Sequence, residues 1–252
     1  MNVVAILNHG RPQEYITDII DKCLKQSIDI DTFIISTDSN FTVSAECDSL
    51  VIDNKDTTVA EAKNVILDKA SKLGDNVKLF LIEDDVDIFR IDAFEKYLTL
   101  MNDLNLGLLF SCYTNTSNYV LTIPSPRVEL VYEGRAPSTS VITNRHEASD
   151  FIVIDLDKND TKFDETLTCF EFSEYVFRCH KDGIIPALNQ FFDISDSWKY
   201  LGKRRNCKSL RKYTDDVIDA DKKRMDKLID NQWTIENDIK VVVDYIRKQI
   251  GV

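Results

Sequence analysis

A chain of 252 residues, 43% hydrophobic and 29% charged, is long enough to bury the core of one large globular domain. Its net charge of −12 argues against a protein whose whole surface binds nucleic acid. The six cysteines are scattered without the spacing of a zinc site or a disulfide scaffold, and no apolar run approaches the roughly 18 residues of a membrane span. Because the first residues also lack a signal-peptide pattern, we expect a cytoplasmic protein.

Apolar strands alternate with amphipathic helices through the first half of the chain. The hydrophobic pattern predicts a helix that follows Pro12 and a second helix that is capped by Thr57 or Thr58 with Glu61. A further helix is predicted at 91–102. The predicted strands are 3–8, 32–37, 49–53, 77–82 and 106–111. This alternation favours an α/β fold with a mainly parallel sheet and helices on both faces.

The second half of the chain has a different pattern. Four β-rich segments between 119 and 155 are separated by proline and glycine, and we predict that they form hairpin-like or mixed strands beside the main sheet. A helix is predicted at 170–182, and two charged helical patterns follow at 215–231 and 235–250. These last helices are typical of packing or partner-binding elements.

Four carboxylates follow the fourth predicted strand within five residues: Glu83, Asp84, Asp85 and Asp87. Ligands of open α/β sheets bind beyond the carboxyl ends of the strands, where this cluster would lie. The side chains repel one another, and their oxygen atoms suit Mg²⁺ or Mn²⁺. The cluster therefore predicts a metal and diphosphate site in which only a divalent ion relieves the repulsion. The alternative is an acidic loop that leads into the next helix, where acids favour the helix dipole.

The strand with its acids resembles the DxD motif of GT-A glycosyltransferases, in the E-D-D form of N-acetylglucosaminyltransferase-like enzymes and some lipopolysaccharide transferases. Three more segments are similar to parts of that fold and occur in the same order. They are "ILNHGRPQ" for the first strand and nucleotide loop, "FIISTDSN" for the second strand, and "TTVAEAKNVILDKA" for the helix before the motif. The resemblance covers residues 1–115 well and 150–190 loosely.

The resemblance implies a donor site for a nucleoside-diphosphate sugar, with a UDP-sugar expected, and for Mn²⁺ or Mg²⁺. Asp85 would be the direct metal ligand, and Asp87 would lie farther from the ion. Asp84 and Glu83 would hold the ribose or orient the waters of the metal.

The same resemblance places further residues around the donor. Asp38 would contact the nucleobase, with Asn8 and Arg11 lining the same pocket. Lys63 or Asn64 would lie near the donor. Two alternatives stay open, since Arg11 also fits a surface turn and Lys63 also fits a solvated helix face.

The segment "FDETLTCFEFSEYVFRCHKDG" resembles the region where such enzymes place an acid at the start of a helix, under the acceptor. Glu171 is the best match for a catalytic base, with Asp164 before the helix and Glu174 one turn later. An inverting enzyme would use this carboxylate to take the proton of the acceptor hydroxyl, and a retaining enzyme would not. A helix cap is the structural alternative for Glu171.

One basic stretch interrupts the acidic chain at 198–212, with seven cations and no acid. It suggests contacts to phosphates and a DNA acceptor with hydroxymethylated or already glycosylated bases, as in viral DNA-modifying glucosyltransferases. In that case the protein would work in the host cytoplasm. A solvated loop, an anionic lipid surface and a cover over the donor diphosphate stay open as alternatives. The predicted nucleic-acid contacts are Lys203, Arg204, Arg205, Lys208 and Arg211.

These features divide the chain into a nucleotide-sugar-binding half at 1–115, an acceptor-side half of the same domain at 116–197, and the basic stretch with the C-terminal helices at 198–252. The hypothesis is a hexosyltransferase-like glycosyltransferase that acts on DNA, or on a glycan or lipopolysaccharide. Two other functions stay open. One is a nucleotidyltransferase that makes a nucleotide sugar, and the other is a non-catalytic module that binds a cation.

Overall fold

The structure is a computed structural model. It describes residues 1–8, 11–38, 41, 48–84, 86–88, 90–111, 128–131, 138–141, 151–168, 171–184, 186–189, 194–196, 216, 219–221 and 223. The strands are β1 (Asn2–Leu7), β2 (Thr32–Thr37), β3 (Ser49–Asp53), β4 (Lys78–Glu83), β5 (Val86–Ile88), β6 (Leu108–Ser111), β7 (Val128–Val131), β8 (Ser138–Val141), β9 (Phe151–Asp155), β10 (Pro186–Asn189) and β11 (Ile194–Asp196). The helices are α1 (Gln13–Leu24), α2 (Val59–Ala70), α3 (Ala93–Asp103) and α4 (Glu171–Lys181).

Nine of the described strands form one sheet in the order β3-β2-β1-β4-β9-β6-β10-β8-β7. Seven of them run in the same direction, and β8 and β9 run against their neighbours. β5 and β11 pair separately as a small antiparallel sheet. The predicted mainly parallel sheet is therefore confirmed.

The last of the four β-rich segments corrects one prediction. It was expected beside the main sheet, but it forms β9 inside the sheet, between β4 and β6. All five residues of β9 are buried. A strand that is apolar on both faces is stable only where helices cover both faces of the sheet, and this condition holds at its centre.

Helices cover both faces because consecutive side chains of each strand point to opposite sides. In β1, Val3 and Leu7 pack into a cluster with α2 and α4. Val4 and Ile6 pack into a second cluster with α1 and α3. The core is thus two apolar layers with the sheet between them.

The start of α2 follows the predicted capping box. The backbone N–H of Glu61 donates to Thr58 Oγ1 at 3.2 Å, and the backbone N–H of Thr58 donates to Glu61 Oε2 at 2.6 Å. These bonds satisfy two donors that the first turn of a helix leaves open. They fix the beginning of the helix that carries Lys63.

Parts of the C-terminal predictions lie outside the described residues. The described residues of the predicted helix 215–231, which are Asp216, Asp219, Ala220, Asp221 and Lys223, are helical. The basic stretch at 198–212, the predicted helix at 235–250 and the segment at 119–123 are not described. Within the described part of the chain, no helix has the length and apolar character needed to cross a membrane.

Candidate functional site

The carboxyl ends of the parallel strands β1, β2 and β4 bring polar residues to one edge of the sheet. Leu7 of β1 lies opposite Glu83 of β4 on one side and Ser36 of β2 on the other. Asn8 and Asp84 follow at the next positions, and both are buried. Ligands of α/β sheets bind at this edge, and the segments predicted to hold a donor meet there.

Arg11 and Asp84 form a buried ion pair at this edge. Arg11 Nε lies 2.8 Å from Asp84 Oδ1, and the side chains are 6% and 8% exposed. Arg11 belongs to the loop between β1 and α1, whereas Asp84 directly follows β4. The interpretation of Arg11 as a surface residue of a turn is therefore wrong. Removing either partner would take away one charge of a buried pair, which is costly.

Lys63 lies between two carboxylates. Its Nζ is 2.8 Å from Glu83 Oε1 and 3.3 Å from Glu171 Oε1. The same atom lies 5.4 Å from the ring centre of Phe163. Only 1% of the lysine is exposed, so the interpretation of a solvated helix face is wrong. Lys63 thus joins the end of β4 to the start of α4.

Asp87 has its counter-ion on α1. Lys22 Nζ lies 2.5 Å from Asp87 Oδ1 and 2.8 Å from Asp18 Oδ2. Burial lowers the pKa of Lys22, but the hydrogen bonds to Asp18 and Asp87 outweigh it and leave the pKa above its ordinary value. The lysine therefore stays protonated beside Asp87.

The acidic cluster is thus balanced largely by the protein itself. Glu83, Asp84 and Asp87 each pair with a cation, and these cations come from α2, the loop after β1, and α1. For these three acids, the expectation that only a divalent ion relieves the repulsion is wrong. Asp85, the predicted direct metal ligand, lies outside the described residues. Among the residues that are described, no group of three or more His, Cys, Asp or Glu could hold a metal ion.

The predicted nucleobase pocket contains a buried polar network. Asn8 Nδ2 donates to the carbonyl of Arg11 at 3.3 Å, and Asn8 Oδ1 accepts from Thr37 Oγ1 at 3.3 Å. Asn8 therefore fixes the loop that carries Arg11. Asp38 follows β2 directly and is half-buried.

Asn54 is a site residue that the sequence analysis did not single out. Its Nδ2 donates to the carbonyl of Asn8 at 2.9 Å and to Ser36 Oγ at 3.0 Å. Its Oδ1 is buried and has no hydrogen-bond partner among the described residues. The available signal was its position directly after a strand, as for Asn8 and Asp38.

The acids near α4 fall into two groups. Glu171, the first residue of the helix, contacts Lys63, which also pairs with Glu83 at the end of β4. Glu174 Oε1 lies 2.5 Å from an Arg178 nitrogen, and Asp164 Oδ2 lies 3.8 Å from the same nitrogen. Asp164 also accepts from the backbone of Thr166 at 2.9 Å. Glu171 is thus joined through Lys63 to the acidic end of β4.

Asn64 connects α2 to the loop before α4. Its Nδ2 donates to the carbonyl of Phe163 at 3.0 Å and to Glu165 Oε1 at 2.8 Å, and its Oδ1 accepts from the backbone N–H of Phe163 at 2.8 Å. Asn64 thus orders the loop, while its neighbour Lys63 contacts the acids.

No family model matches the chain, and no curated protein matches its sequence. Its structure is similar to S. aureus TarS 1-349 in complex with UDP-GlcNAc, with a TM-score of 0.52 and 13% identity over 78% of this chain and 58% of that chain. It is also similar to the mannosyltransferase PcManGT from Pyrobaculum calidifontis in complex with GDP-Man and Mn²⁺, with a TM-score of 0.55 and 9% identity over 77% of this chain and 56% of that chain. The fold is GT-A-like.

A third structural neighbour is a UDP-glucose pyrophosphorylase complexed with UDP-glucose, with a TM-score of 0.50 and 11% identity over 75% of this chain and 90% of that chain. The chain spans only 37% of one TarS structure and 58% of the TarS complex. At these identities the likeness establishes the GT-A-like fold, and these neighbours are enzymes that use nucleotide sugars.

Proposed function

We propose that the chain is a glycosyltransferase that moves a sugar from a nucleoside-diphosphate sugar to an acceptor hydroxyl. The observation that carries the proposal is the pair of buried cations, Lys63 and Arg11, held against Glu83 and Asp84 at the carboxyl edge of a GT-A-like sheet. A diphosphate is an anion, and preorganised buried cations stabilise it more strongly than exposed ones do. Glu171 adds a carboxylate next to this cluster.

The donor in this proposal is a UDP-sugar that lies along the edge formed by β1, β2 and β4. Asp38 contacts the base, Asn8 and Arg11 line its pocket, and Lys63 lies near the diphosphate. Support comes from the neighbours, which were solved with UDP-GlcNAc, GDP-Man and UDP-glucose.

Mn²⁺ or Mg²⁺ is part of the same proposal. Carboxylate oxygens are the ligands that these ions prefer, and Glu83 is 27% exposed although it pairs with Lys63, so its carboxylate is accessible to a hard cation. Asp85 would hold the ion, with Asp87 nearby. When bound, the ion supplies positive charge for the diphosphate that leaves the sugar.

Glu171 has the role of general base in an inverting reaction. Its carboxylate would take the proton of the acceptor hydroxyl as the bond to the sugar forms. Asp164 is the second candidate, although in the structure its carboxylate is hydrogen-bonded to Thr166.

For the acceptor we propose DNA with hydroxymethylated or glycosylated bases, and a glycan or lipopolysaccharide as the alternative. The support is the composition of the basic stretch and the position of described residues on either side of it. Asp196 pairs with Val86, next to the acidic cluster. Asp221 Oδ2 accepts from the backbone N–H of Thr168 at 2.9 Å, three residues before Glu171.

The second candidate function is a nucleotidyltransferase that makes a nucleotide sugar. The observation that favours it is the UDP-glucose pyrophosphorylase, since the match covers 90% of that chain. This function predicts turnover of a nucleoside triphosphate with release of pyrophosphate.

A panel of nucleotide sugars, with and without Mn²⁺, tests the main proposal through slow donor hydrolysis and needs no acceptor. Calorimetry should show metal-dependent binding of UDP that is lost in Asp85→Ala. Asp75→Ala, in the exposed loop before β4, is the matched control and should bind normally. Failure of every donor to bind or hydrolyse would contradict the proposal. Binding of a cation without any nucleotide dependence would instead indicate a non-catalytic module.

Charge reversal tests the DNA acceptor. Arg204→Glu with Arg205→Glu should weaken binding to duplex DNA and reduce its dependence on salt, because phosphate contacts release counterions. Lys25→Glu with Lys72→Glu changes the net charge equally at exposed positions and serves as the control. Unchanged retention of the first variant on a DNA column would remove this acceptor.

A further inference from the structure

We infer that Asn54 is a positioning residue for the nucleotide end of the donor site: its side-chain amide holds the ends of β1 and β2 together and so fixes the loop that carries Arg11. The inference rests on the proposed function, which places Asn8, Arg11 and Asp38 around the base. It adds Asn54, a residue that the proposed function does not use.

Asn54 joins the end of β3 to three other segments. Its backbone N–H donates to the carbonyl of Thr37, at the end of β2, at 3.1 Å. Its Nδ2 donates to the carbonyl of Asn8 at 2.9 Å and to Ser36 Oγ at 3.0 Å. Its own carbonyl accepts from the backbone N–H of Thr57 at 3.1 Å and from the Thr57 hydroxyl at 2.9 Å, in the turn before α2. One residue therefore ties the ends of three parallel strands to the start of a helix.

The burial of Asn54 explains how it acts. The residue is 2% exposed, and its Oδ1 is buried without a hydrogen-bond partner. An atom closed to solvent does not meet a ligand that arrives from solvent, so the amide acts through the residues that it holds. An unpaired buried acceptor lowers stability and calls for an explanation. The explanation here is the Nδ2 group of the same amide, because an apolar side chain of similar size could not hold two acceptors.

Asn8 passes this position on to Arg11. The backbone N–H of Asn8 donates to the carbonyl of Ser36 at 2.8 Å, and its Oδ1 accepts from Thr37 Oγ1 at 3.3 Å. Its Nδ2 donates to the carbonyl of Arg11 at 3.3 Å, and Arg11 Nε lies 2.8 Å from Asp84 Oδ1. These contacts follow the strand order β3-β2-β1-β4, so they run along the whole edge at which the donor is proposed to bind.

Removing the Nδ2 bonds has a defined consequence for the donor. In Asn54→Leu, the Asn8 carbonyl and the Ser36 hydroxyl lose a donor, so the loop after β1 is no longer held by Asn54. Donor binding must then order this loop, and that cost weakens binding. The bound donor restores the same geometry, so KM for the donor should rise while kcat stays the same.

Binding and turnover of the donor test the inference. In Asn54→Leu the Kd for UDP should rise about tenfold, the effect of roughly one hydrogen bond, with an equal rise in KM and an unchanged kcat of donor hydrolysis. Asn159→Leu is the matched control. Asn159 is equally buried and its Nδ2 donates to Tyr175 and Cys179, but it follows β9 at the opposite edge of the sheet, so UDP binding should be that of the wild type. Wild-type affinity in Asn54→Leu, or a lower kcat at an unchanged KM, would overturn the inference.

A double-mutant cycle checks that Asn54 acts through the loop of Arg11. In an Arg11→Lys background, Asn54→Leu should weaken UDP binding by about twofold or less, and a full additional tenfold loss contradicts the inference. If Asn54→Leu fails to fold, Asn54→Ser replaces it. The serine side chain adds no bulk, and its hydroxyl has a single proton and cannot donate to both acceptors.

Hydrogen exchange without any donor separates this inference from the proposed function. The Nε–H signal of Arg11 is identified by its absence in Arg11→Lys, and its exchange with water should be slow in the wild type because the side chain is 6% exposed. In Asn54→Leu the exchange should be about tenfold faster or more, and in Asn159→Leu it should match the wild type. Faster exchange in a protein that binds no nucleotide would support the link from Asn54 to Arg11 and contradict the glycosyltransferase. Unchanged exchange in a protein that binds UDP would do the reverse.

Discussion

The two ends of β4 carry ion pairs that differ in which partner is buried, the acid or the lysine. At the amino end, the buried acid Asp155 contacts Lys78 Nζ at 2.5 Å and Lys158 Nζ at 3.2 Å. The acid is 1% exposed and Lys78 is 18% exposed. At the carboxyl end the order is inverted, because Lys63 is the buried partner and Glu83 is the more exposed one.

This inversion distinguishes a structural pair from a candidate binding site. A lysine has a long apolar stem, so it easily reaches from the surface to a buried acid and keeps its charge near water. Lys63 has the opposite arrangement: its ammonium is buried, away from water, and the acid is the more exposed partner. Such an arrangement keeps the Glu83 carboxylate accessible to a ligand and holds the Lys63 ammonium at a fixed position beneath it.

Glu171→Gln should give the largest change in activity, and it tests whether the carboxyl end of β4 serves a reaction while the amino end does not. The amide cannot take the acceptor proton, so kcat for sugar transfer should fall by about 10²–10⁴-fold, while the substitution leaves donor binding in place. Transfer and donor binding are measured in parallel. A variant that keeps full transfer activity would show that Glu171 is not the base.

Arg11→Met should give the largest loss of stability, because it removes a charge that pairs with the buried Asp84. We expect the free energy of unfolding to fall by about 3–5 kcal/mol. Arg90→Met removes the exposed pair with Asp92 and should cost about 0–1 kcal/mol. Urea denaturation of both variants measures the difference, and equal losses would contradict the contrast between buried and exposed pairs.

Asp155→Asn should lower the stability of the protein through the amino end of β4 and leave its activity unchanged. The loss should be about 1–3 kcal/mol, smaller than for Arg11→Met, because Lys78 and Lys158 are partly exposed and can turn to water. The expected kcat is that of the wild type. A large drop in kcat at unchanged stability would contradict a purely structural role for the ion pairs at the amino end of β4.

Thr58→Ala should cost about 1 kcal/mol, because it removes the cap of the helix that carries Lys63. Thr17→Ala, inside α1, is the control and should change stability by far less, since the bond that the Thr17 hydroxyl makes among the described residues is to the backbone of its own helix. Thermal unfolding of the two variants tests this difference.

Lys162→Met should give the smallest change in stability, and the change should be absent at strongly acidic pH. The hydrogen bond from Lys162 lowers the pKa of Asp68 below its ordinary value of 3.8. The folded-state pKa is thus below the unfolded one, so the stabilisation is present above that ordinary value and disappears as pH falls through the folded pKa. Because both side chains are exposed, the effect should be slight. Unfolding midpoints of wild type and variant should differ slightly at pH 7 and coincide at pH 2.

The sequence by itself determined the parts of this protein that depend on neighbouring residues. The capping box of α2, the apolar strands of the first half and the acidic end of β4 were all readable from short segments. Local patterns suffice there because helix periodicity, capping and strand alternation act within a few residues. The likeness of these segments to GT-A glycosyltransferases also predicted the GT-A-like fold correctly.

Only the tertiary structure decided which distant residues meet. The position of β9 inside the sheet depends on pairing with two strands at once, and no local pattern distinguishes it from a strand beside the sheet. The counter-ions of the acids and the contact of Lys63 with Glu171 likewise join residues that are far apart in the chain. Such contacts form because the whole core fixes the helices on the sheet, and that packing free energy is a property of the complete chain.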